Sequence, residues 1–272
     1  MMYISSMFLN NIDPVLFSVG PLAIRWYSVF FAIGIILYYA ITLRLWKNRK
    51  WKESDFDKLV LFLFVGLVLG ARLGEVFFYQ WDYYSSAGIF EIFKVWKGGL
   101  SSHGATIGLL VAYIIFCLRT KIRFMDRIDV IAVAMPLVAG FVRLGNFFNS
   151  EIVGRAVSAD FPFGVVFAQN GEMFARHPAQ LYEGLLAWIT FTIVISFYLK
   201  KIRTSRFKVR NGFFLFLFTG IYFSGRFALE FLKEYQIGSG TDGLPFGLTM
   251  GQGLSIIPIL ISIIGIVACM IR

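Results

Sequence analysis

The chain has 272 residues, of which 58% are hydrophobic and 15% charged, and a mean hydropathy of +0.72; that leaves too little polar surface to cover a soluble globule. The net charge of +10 raises nucleic acid as a partner, but 17 of the 26 Lys and Arg fall in Arg44 to Lys58, Arg119 to Arg127, Lys200 to Arg210 and at Arg272, beside or between apolar runs. That placement excludes a nucleic-acid surface and marks membrane orientation, with the three basic loops cytoplasmic.

No basic residue precedes Arg25, so the start of the chain lacks the charged region of a cleavable signal peptide and is expected to be retained. A bilayer core needs roughly 20 apolar residues per helix. Seven segments qualify: about 21–43, 59–80, 100–118, 128–147, 178–199, 212–232 and 250–271. The expected fold is therefore an all-α membrane protein with seven transmembrane helices, a single domain over 1–272. With the basic loops inside, the N-terminus is outside and the C-terminus cytoplasmic. The 148–177 connection is long enough for a small extracytoplasmic cap between helices 4 and 5.

In the second helix Gly66, Gly70 and Gly74 recur every four residues, a spacing that lets a neighbour approach closely. Arg72 and Glu75 on the same helix are spaced to pair. Cys117 and Cys269 lie near cytoplasmic helix ends and read as small core residues rather than a disulfide.

Ionisable residues inside a bilayer are costly unless paired or hydrated. They gather at Arg25-Trp26-Tyr27, Ser102-His103-Gly104, Arg143-Leu144-Gly145-Asn146, and Arg226 with Glu230. Odd-numbered helices run inward and even-numbered ones outward, so all four groups are expected toward the outer face. Tyr222, Arg226 and Glu230 are spaced four apart and share a helix face, while Arg143 and Asn146 share another, with Glu151 close behind. Two arginines at common depth suit a phosphate, because the guanidinium fork donates paired hydrogen bonds and keeps its charge when desolvated. His103 is a candidate base, since histidine is the residue type suited to proton transfer near neutral pH, whereas His177, before Pro178, marks the start of a helix. Two histidines without cysteines nearby do not make a zinc site.

The run Arg143-Leu144-Gly145-Asn146-Phe147-Phe148-Asn149-Ser150-Glu151-Ile152-Val153-Gly154-Arg155 resembles the signature of the prolipoprotein diacylglyceryl transferases. Supporting it in order are Gly98 to Gly104, His177 to Glu183, Gly225-Arg226-Phe227 with Glu230, and Met250-Gly251-Gln252. The sequence departs from the family pattern at Ala105, Val142, Arg25 and Lys233, the last standing where the family usually has Arg.

The resemblance implies a transferase of the bacterial cytoplasmic (inner) membrane with no metal or organic cofactor. Its partners would be phosphatidylglycerol and a prolipoprotein signal peptide carrying the lipobox cysteine; the diacylglyceryl group passes to the thiol as a thioether and glycerol phosphate is released. A thiol of pKa about 8.5 needs a base or a thiolate-favouring field, and the leaving phosphate needs cations where its charge develops. His103, Arg143 and Arg226 are the catalytic candidates; Arg143, Asn146, Glu151, Tyr27, Tyr222 and Glu230 are the substrate-binding ones. Proton removal by Glu230, Tyr222 or a water remains a rival to His103. A transporter or lipid-binding membrane protein for an anionic substrate is the alternative function, although no internal repeat is found.

Overall fold

The computed structural model describes residues 8–20, 22–94, 99, 101–204, 208–234 and 247–271. Gly98 and Leu100, Arg206, Arg272 and most of the 233–249 connection lie outside them. Six helices are long and apolar enough to cross a membrane, and a bent pair makes up to seven. They are α1 (Trp26–Asn48), α2 (Glu53–Phe78), α4 (Ser102–Thr120), the pair α5 (Phe124–Val133) with α6 (Met135–Phe148), α7 (Ala179–Arg203), α8 (Phe213–Leu229, continued by a 3-10 turn to Leu232) and α9 (Met250–Met270). A short helix α3 (Trp81–Ala87) follows α2.

Two of the expected spans are corrected. The first helix starts at Trp26 rather than near residue 21, because β2 (Val15–Val19) and β3 (Leu22–Arg25) form an antiparallel hairpin turned at Gly20 with φ +58°. Arg25 is thus the last strand residue, paired with Val15 and exposed. The fourth span is broken by 41° at Ala134, one residue after α5 ends. Pro136 sits in the first turn of α6, where its missing N–H costs nothing to the new helix but ends the old one.

The chain forms two compact units. The first comprises residues 1–42 and 128–272. Its helices pack α6 on α7, α7 on α8 and α8 on α9, with small residues at the contacts. Gly140 faces the Trp188 indole, Gly225 the Leu186 side chain, and Gly265 the Phe216 ring. Asp129 on α5 is buried and accepts hydrogen bonds from the backbone N–H groups of Gly212 (3.1 Å), Phe214 (2.9 Å) and Leu215 (3.2 Å), so a distant carboxylate caps α8.

In the 148–177 connection β4 (Val165–Phe167) pairs in parallel with β1 (Phe8–Asn10). Phe147, Val165 and Phe167 form a small core there, and buried Asn10 donates to the Phe147 carbonyl at 2.8 Å. Arg176 grips Glu172 through Nε and Nη2, at 2.6 and 2.7 Å, and reaches Glu234 at 2.7 Å. These hydrogen bonds hold its pKa above the ordinary arginine value. The segment also joins the end of α8: Arg155 N–H donates to Leu232 O at 2.9 Å, and Gly154 bridges Lys233.

The second unit, residues 43–127, is built on α2 against α4. The glycine stripe does what its spacing suggested. An added Cβ at Gly70 would lie 2.6 Å from Gly108 Cα, and one at Gly74 would lie 2.6 Å from Gly104 Cα, so the two backbones touch. Arg72 is buried, with its guanidinium donating to the carbonyls of Ile92 (2.6 Å), Glu91 (2.6 Å) and Gly99 (3.1 Å) and lying over the Tyr84 ring. It is a structural clamp for the segment after α3. Arg127, in the first turn of α5, sits 3.6 Å over the ring of Trp51 in the connection between α1 and α2. Both cysteines are free and buried.

Candidate active site

The first unit gathers a charged network where α6, α7 and the end of α8 meet. Arg143 lies in the last turns of α6, and its side chain is only 12% exposed. Its Nε pairs with Glu183 Oε2 of α7 at 2.8 Å, and its Nη1 reaches Asn146 Oδ1 at 3.5 Å. Glu183 is 1% exposed and also receives Lys233 Nζ at 3.4 Å; Lys233 in turn pairs with Glu230 at 3.2 Å. Two cations and two carboxylates therefore alternate as Arg143, Glu183, Lys233 and Glu230. Their charges cancel, which is how such groups persist in an apolar bundle.

In the sequence Glu183 closes the His177-to-Glu183 family match and Lys233 marks a departure from the family pattern, and neither carries a role there. The available signal was an acid inside an apolar helix, since Glu183 follows His177-Pro178 by barely one and a half turns. Gly184 beside it leaves ordinary contact distance to Arg143 Cβ, 3.5 Å from an added Cβ, so the two helices bring the pair together with little side-chain reach.

Asn146, buried on α6, continues the network by donating to Glu151 Oε2 at 3.2 Å, and Asn149 donates to Oε1 at 3.1 Å. Glu151 is held by its backbone as well: its N–H bonds Asn146 O at 2.9 Å and its carbonyl accepts from Gln180 Nε2 at 2.6 Å. The turn is strained, with Ser150 at φ +55° and Ile152 at φ +57°, a left-handed conformation that is costly for a β-branched residue. These two positions flank Glu151 directly.

Tyr27, in the first turn of α1, packs on Gly145 and feels the charges of Glu151 and Arg143. Its place beside the network follows from the close approach that Gly145 permits. Tyr222 is buried on α8 against the rings of Phe218 and Phe223. Arg226 is half-buried in the last turn of α8 and has no ion-pair or hydrogen-bond partner among the described residues. Glu230 departs from the expected shared face, because the helix tightens to a 3-10 turn there. Its carboxylate turns to Lys233 and packs on Gly251, 2.6 Å from an added Cβ, instead of pairing with Arg226. Arg226 is thus the cation of this group that no described acid pairs, while with Glu151 counted the group holds three cations and three carboxylates.

His103 belongs to the second unit, at the second position of α4, where it is exposed and its Nδ1 lies 2.8 Å from the Tyr79 hydroxyl. His177 heads α7, 3.3 Å from the Tyr182 hydroxyl and edge-on to Phe161. Burial lowers its pKa below the ordinary 6.5, so the folded state resists protonation. The unfolded chain gains a proton first as pH falls through 6.5. Stability is therefore complete above that pH and declines below it. His177→Gln should show a smaller drop in melting temperature between pH 7.5 and pH 5.5 than the parent chain; an equal drop would assign the acid sensitivity elsewhere. Among the described residues no group of three or more His, Cys, Asp or Glu is placed to hold a metal ion.

The sequence profile of the prolipoprotein diacylglyceryl transferases matches residues 14–268. The chain is 35% identical to a phosphatidylglycerol–prolipoprotein diacylglyceryl transferase of Ehrlichia ruminantium (strain Welgevonden), over 93% of this chain and 95% of the relative. Similar proteins of the same name come from Wolbachia pipientis subsp. Culex pipiens (strain wPip), 38% identical over 93% and 94%, and Bacteroides fragilis (strain YCH46), 37% identical over 93% and 92%. The matched span contains the whole Arg143–Glu183–Lys233–Glu230 network and the His103–Tyr79 pair. The chain belongs to the prolipoprotein diacylglyceryl transferase family.

Proposed function

We propose that this chain transfers the diacylglyceryl group of phosphatidylglycerol to the lipobox cysteine thiol of a prolipoprotein, as one transferase domain in the bacterial inner membrane. The sulfur forms a bond to the glyceryl carbon that carried the phosphate. The carbon–oxygen bond breaks, and its electron pair leaves with glycerol phosphate. The thiol proton goes to His103.

The observation that carries this reading is the pairing of Arg143 with a fully buried carboxylate of α7, whose neighbour α8 bears Arg226 without a partner among the described residues. Glu183 fixes the guanidinium through Nε and leaves the Nη2 edge for a phosphate oxygen, so the donors are aimed before substrate arrives. Arg226, which no described acid pairs, supplies a second guanidinium for the phosphate beside Arg143. Asn146 relays the position of Glu151 to Arg143, and Tyr27 closes the polar side of α1.

The basic loops support a topology with the N-terminus outside and the C-terminus cytoplasmic. In that orientation α4 begins, and α6 and α8 end, on the outer side. The 148–177 segment then forms the extracytoplasmic cap. Phosphatidylglycerol enters from the outer leaflet, and the precursor presents its cysteine while its signal peptide spans the bilayer.

Purified protein incubated with phosphatidylglycerol and a lipobox peptide should raise the peptide mass by one diacylglyceryl unit, and a Cys→Ser peptide should not change. Unmodified peptide together with anion flux into vesicles would decide for a transporter. His103→Gln should lower turnover by roughly a hundredfold or more, as expected for loss of a general base; near-normal turnover would leave the proton to Glu230, Tyr222 or a water.

A further inference from the structure

Tyr79 is the C-cap residue of α2, with its backbone N–H on Glu75 O at 3.1 Å, and its side chain is turned to His103 at the start of α4. The two helix ends are fixed relative to each other within this unit. Gly74 and Gly104 are in backbone contact, with an added Cβ at Gly104 falling 2.7 Å from Gly74 Cα. One turn away the Ser101 N–H bonds Ala71 O at 2.9 Å, while the Ser101 hydroxyl oxygen caps α4 by accepting from Gly104 N–H at 3.2 Å. The imidazole and the phenol thus extend from helix ends whose backbones are held in contact, and they lie 2.8 Å apart.

The nearest other charged groups on α2 do different work. Arg72 is committed to the carbonyls of Ile92, Glu91 and Gly99, and Glu75 packs over Gly99. The first turn of α4 holds no second titratable residue beside His103. Tyr79 is the side chain that addresses this ring.

We infer that Tyr79 is the positioning residue of the His103 base: its phenol oxygen accepts a hydrogen bond from Nδ1–H and so presents Nε2, with its lone pair, to the thiol. The inference rests on the base assignment made above and deepens it. Neutral histidine has two tautomers, and only the one protonated at Nδ1 accepts a proton at Nε2; a partner on the other nitrogen selects between them. When the S–H bond breaks and the sulfur–carbon bond forms, Nε2 takes the proton. The resulting imidazolium makes Nδ1–H a charged donor, so its bond to the Tyr79 oxygen strengthens as the reaction proceeds. The proton later passes to water or to the released phosphate.

The test compares Tyr79→Phe, Tyr79→Gln and His103→Gln in the diacylglyceryl transfer assay with the lipobox peptide, each checked for unchanged thermal unfolding. Nitrogen NMR of histidine-labelled protein supplies the independent readout. The chain has two histidines, so His103 is assigned by the signals lost in His103→Gln. The expected result for Tyr79→Phe is a kcat about tenfold lower, from loss of a hydrogen bond to a charged group, with KM for the peptide unchanged. In the same variant the His103 tautomer should shift from Nδ1–H toward Nε2–H. Tyr79→Gln, whose amide oxygen also accepts, should recover part of both.

Parent-like kcat in Tyr79→Phe beside an inactive His103→Gln would overturn the positioning role and leave the base in place. A lowered kcat with an unmoved nitrogen signature would overturn it too. Parent-like turnover in His103→Gln would remove the base and the inference together.

Discussion

Arg143→Ala is expected to lower diacylglyceryl transfer by a hundred- to a thousandfold, the scale of removing an aimed donor from a developing anion. It should also destabilise the protein, for a separate reason. Glu183 is 1% exposed and would keep only Lys233, at 3.4 Å, leaving a buried carboxylate short of its closest cation. Breaking one partner of a buried pair costs about 3 kcal/mol or more. The two effects come apart in the double variant Arg143→Ala with Glu183→Gln, which removes the stranded charge: melting temperature should recover while turnover stays low. Recovery of turnover would show that the arginine serves the fold and not the phosphate. Arg143→Lys, which keeps the charge but loses the planar fork, should fall between parent and alanine.

The second large effect concerns folding of the 43–127 unit. Gly108→Leu places a side chain against the Gly66 carbonyl and 2.7 Å from Gly70 Cα. Both obstacles are backbone and cannot rotate away, so α2 and α4 must separate. Overpacking of this kind costs about 3 kcal/mol, and the variant should elute as aggregate or melt far below the parent in detergent. Gly184→Ala is the matched control, since its Cβ would sit 3.5 Å from its nearest neighbours and alanine favours the helix. It should melt within a few degrees of the parent. Equal melting of Gly108→Leu and Gly184→Ala would mean that the stripe does not carry the contact.

The apolar runs made the membrane-spanning helices readable, because a bilayer imposes length and composition on each span independently of its partners. The Gly66, Gly70 and Gly74 stripe was readable for a similar reason: its meaning lies in local spacing. The hairpin at Val15 to Arg25 was hidden because residues 22–25 are as apolar as a helix start, and only pairing with Val15–Val19 separates strand from helix. The bend at Ala134 was signalled by Pro136 but lay inside an unbroken apolar run.

At the candidate site the residue types were legible and their partners were not. Arg143 and Asn146 stood out by charge and spacing, whereas Glu183 is 40 positions from Arg143 and Lys233 is 50 from Glu183, distances across which periodicity carries no information. The Glu230–Arg226 spacing even suggested a pair that the 3-10 turn after α8 replaces with Glu230–Lys233. Tyr79 stayed silent because an aromatic at the end of an apolar helix looks like an interfacial residue.

The carboxylate that caps α8 also bears on how the protein is made. Asp129 leaves the ribosome 83 residues before Gly212, the first backbone group it receives. Until those residues follow, the chain lacks the backbone donors that this acid receives once folded, where Lys201 also lies 3.9 Å away. A chain that stops after α7 lacks all three N–H groups, and the first turn of α8 supplies them together. The cap of α8 is thus contributed by a helix that precedes it in the chain by a whole span, and its first turn has its donors met as soon as the two helices pack.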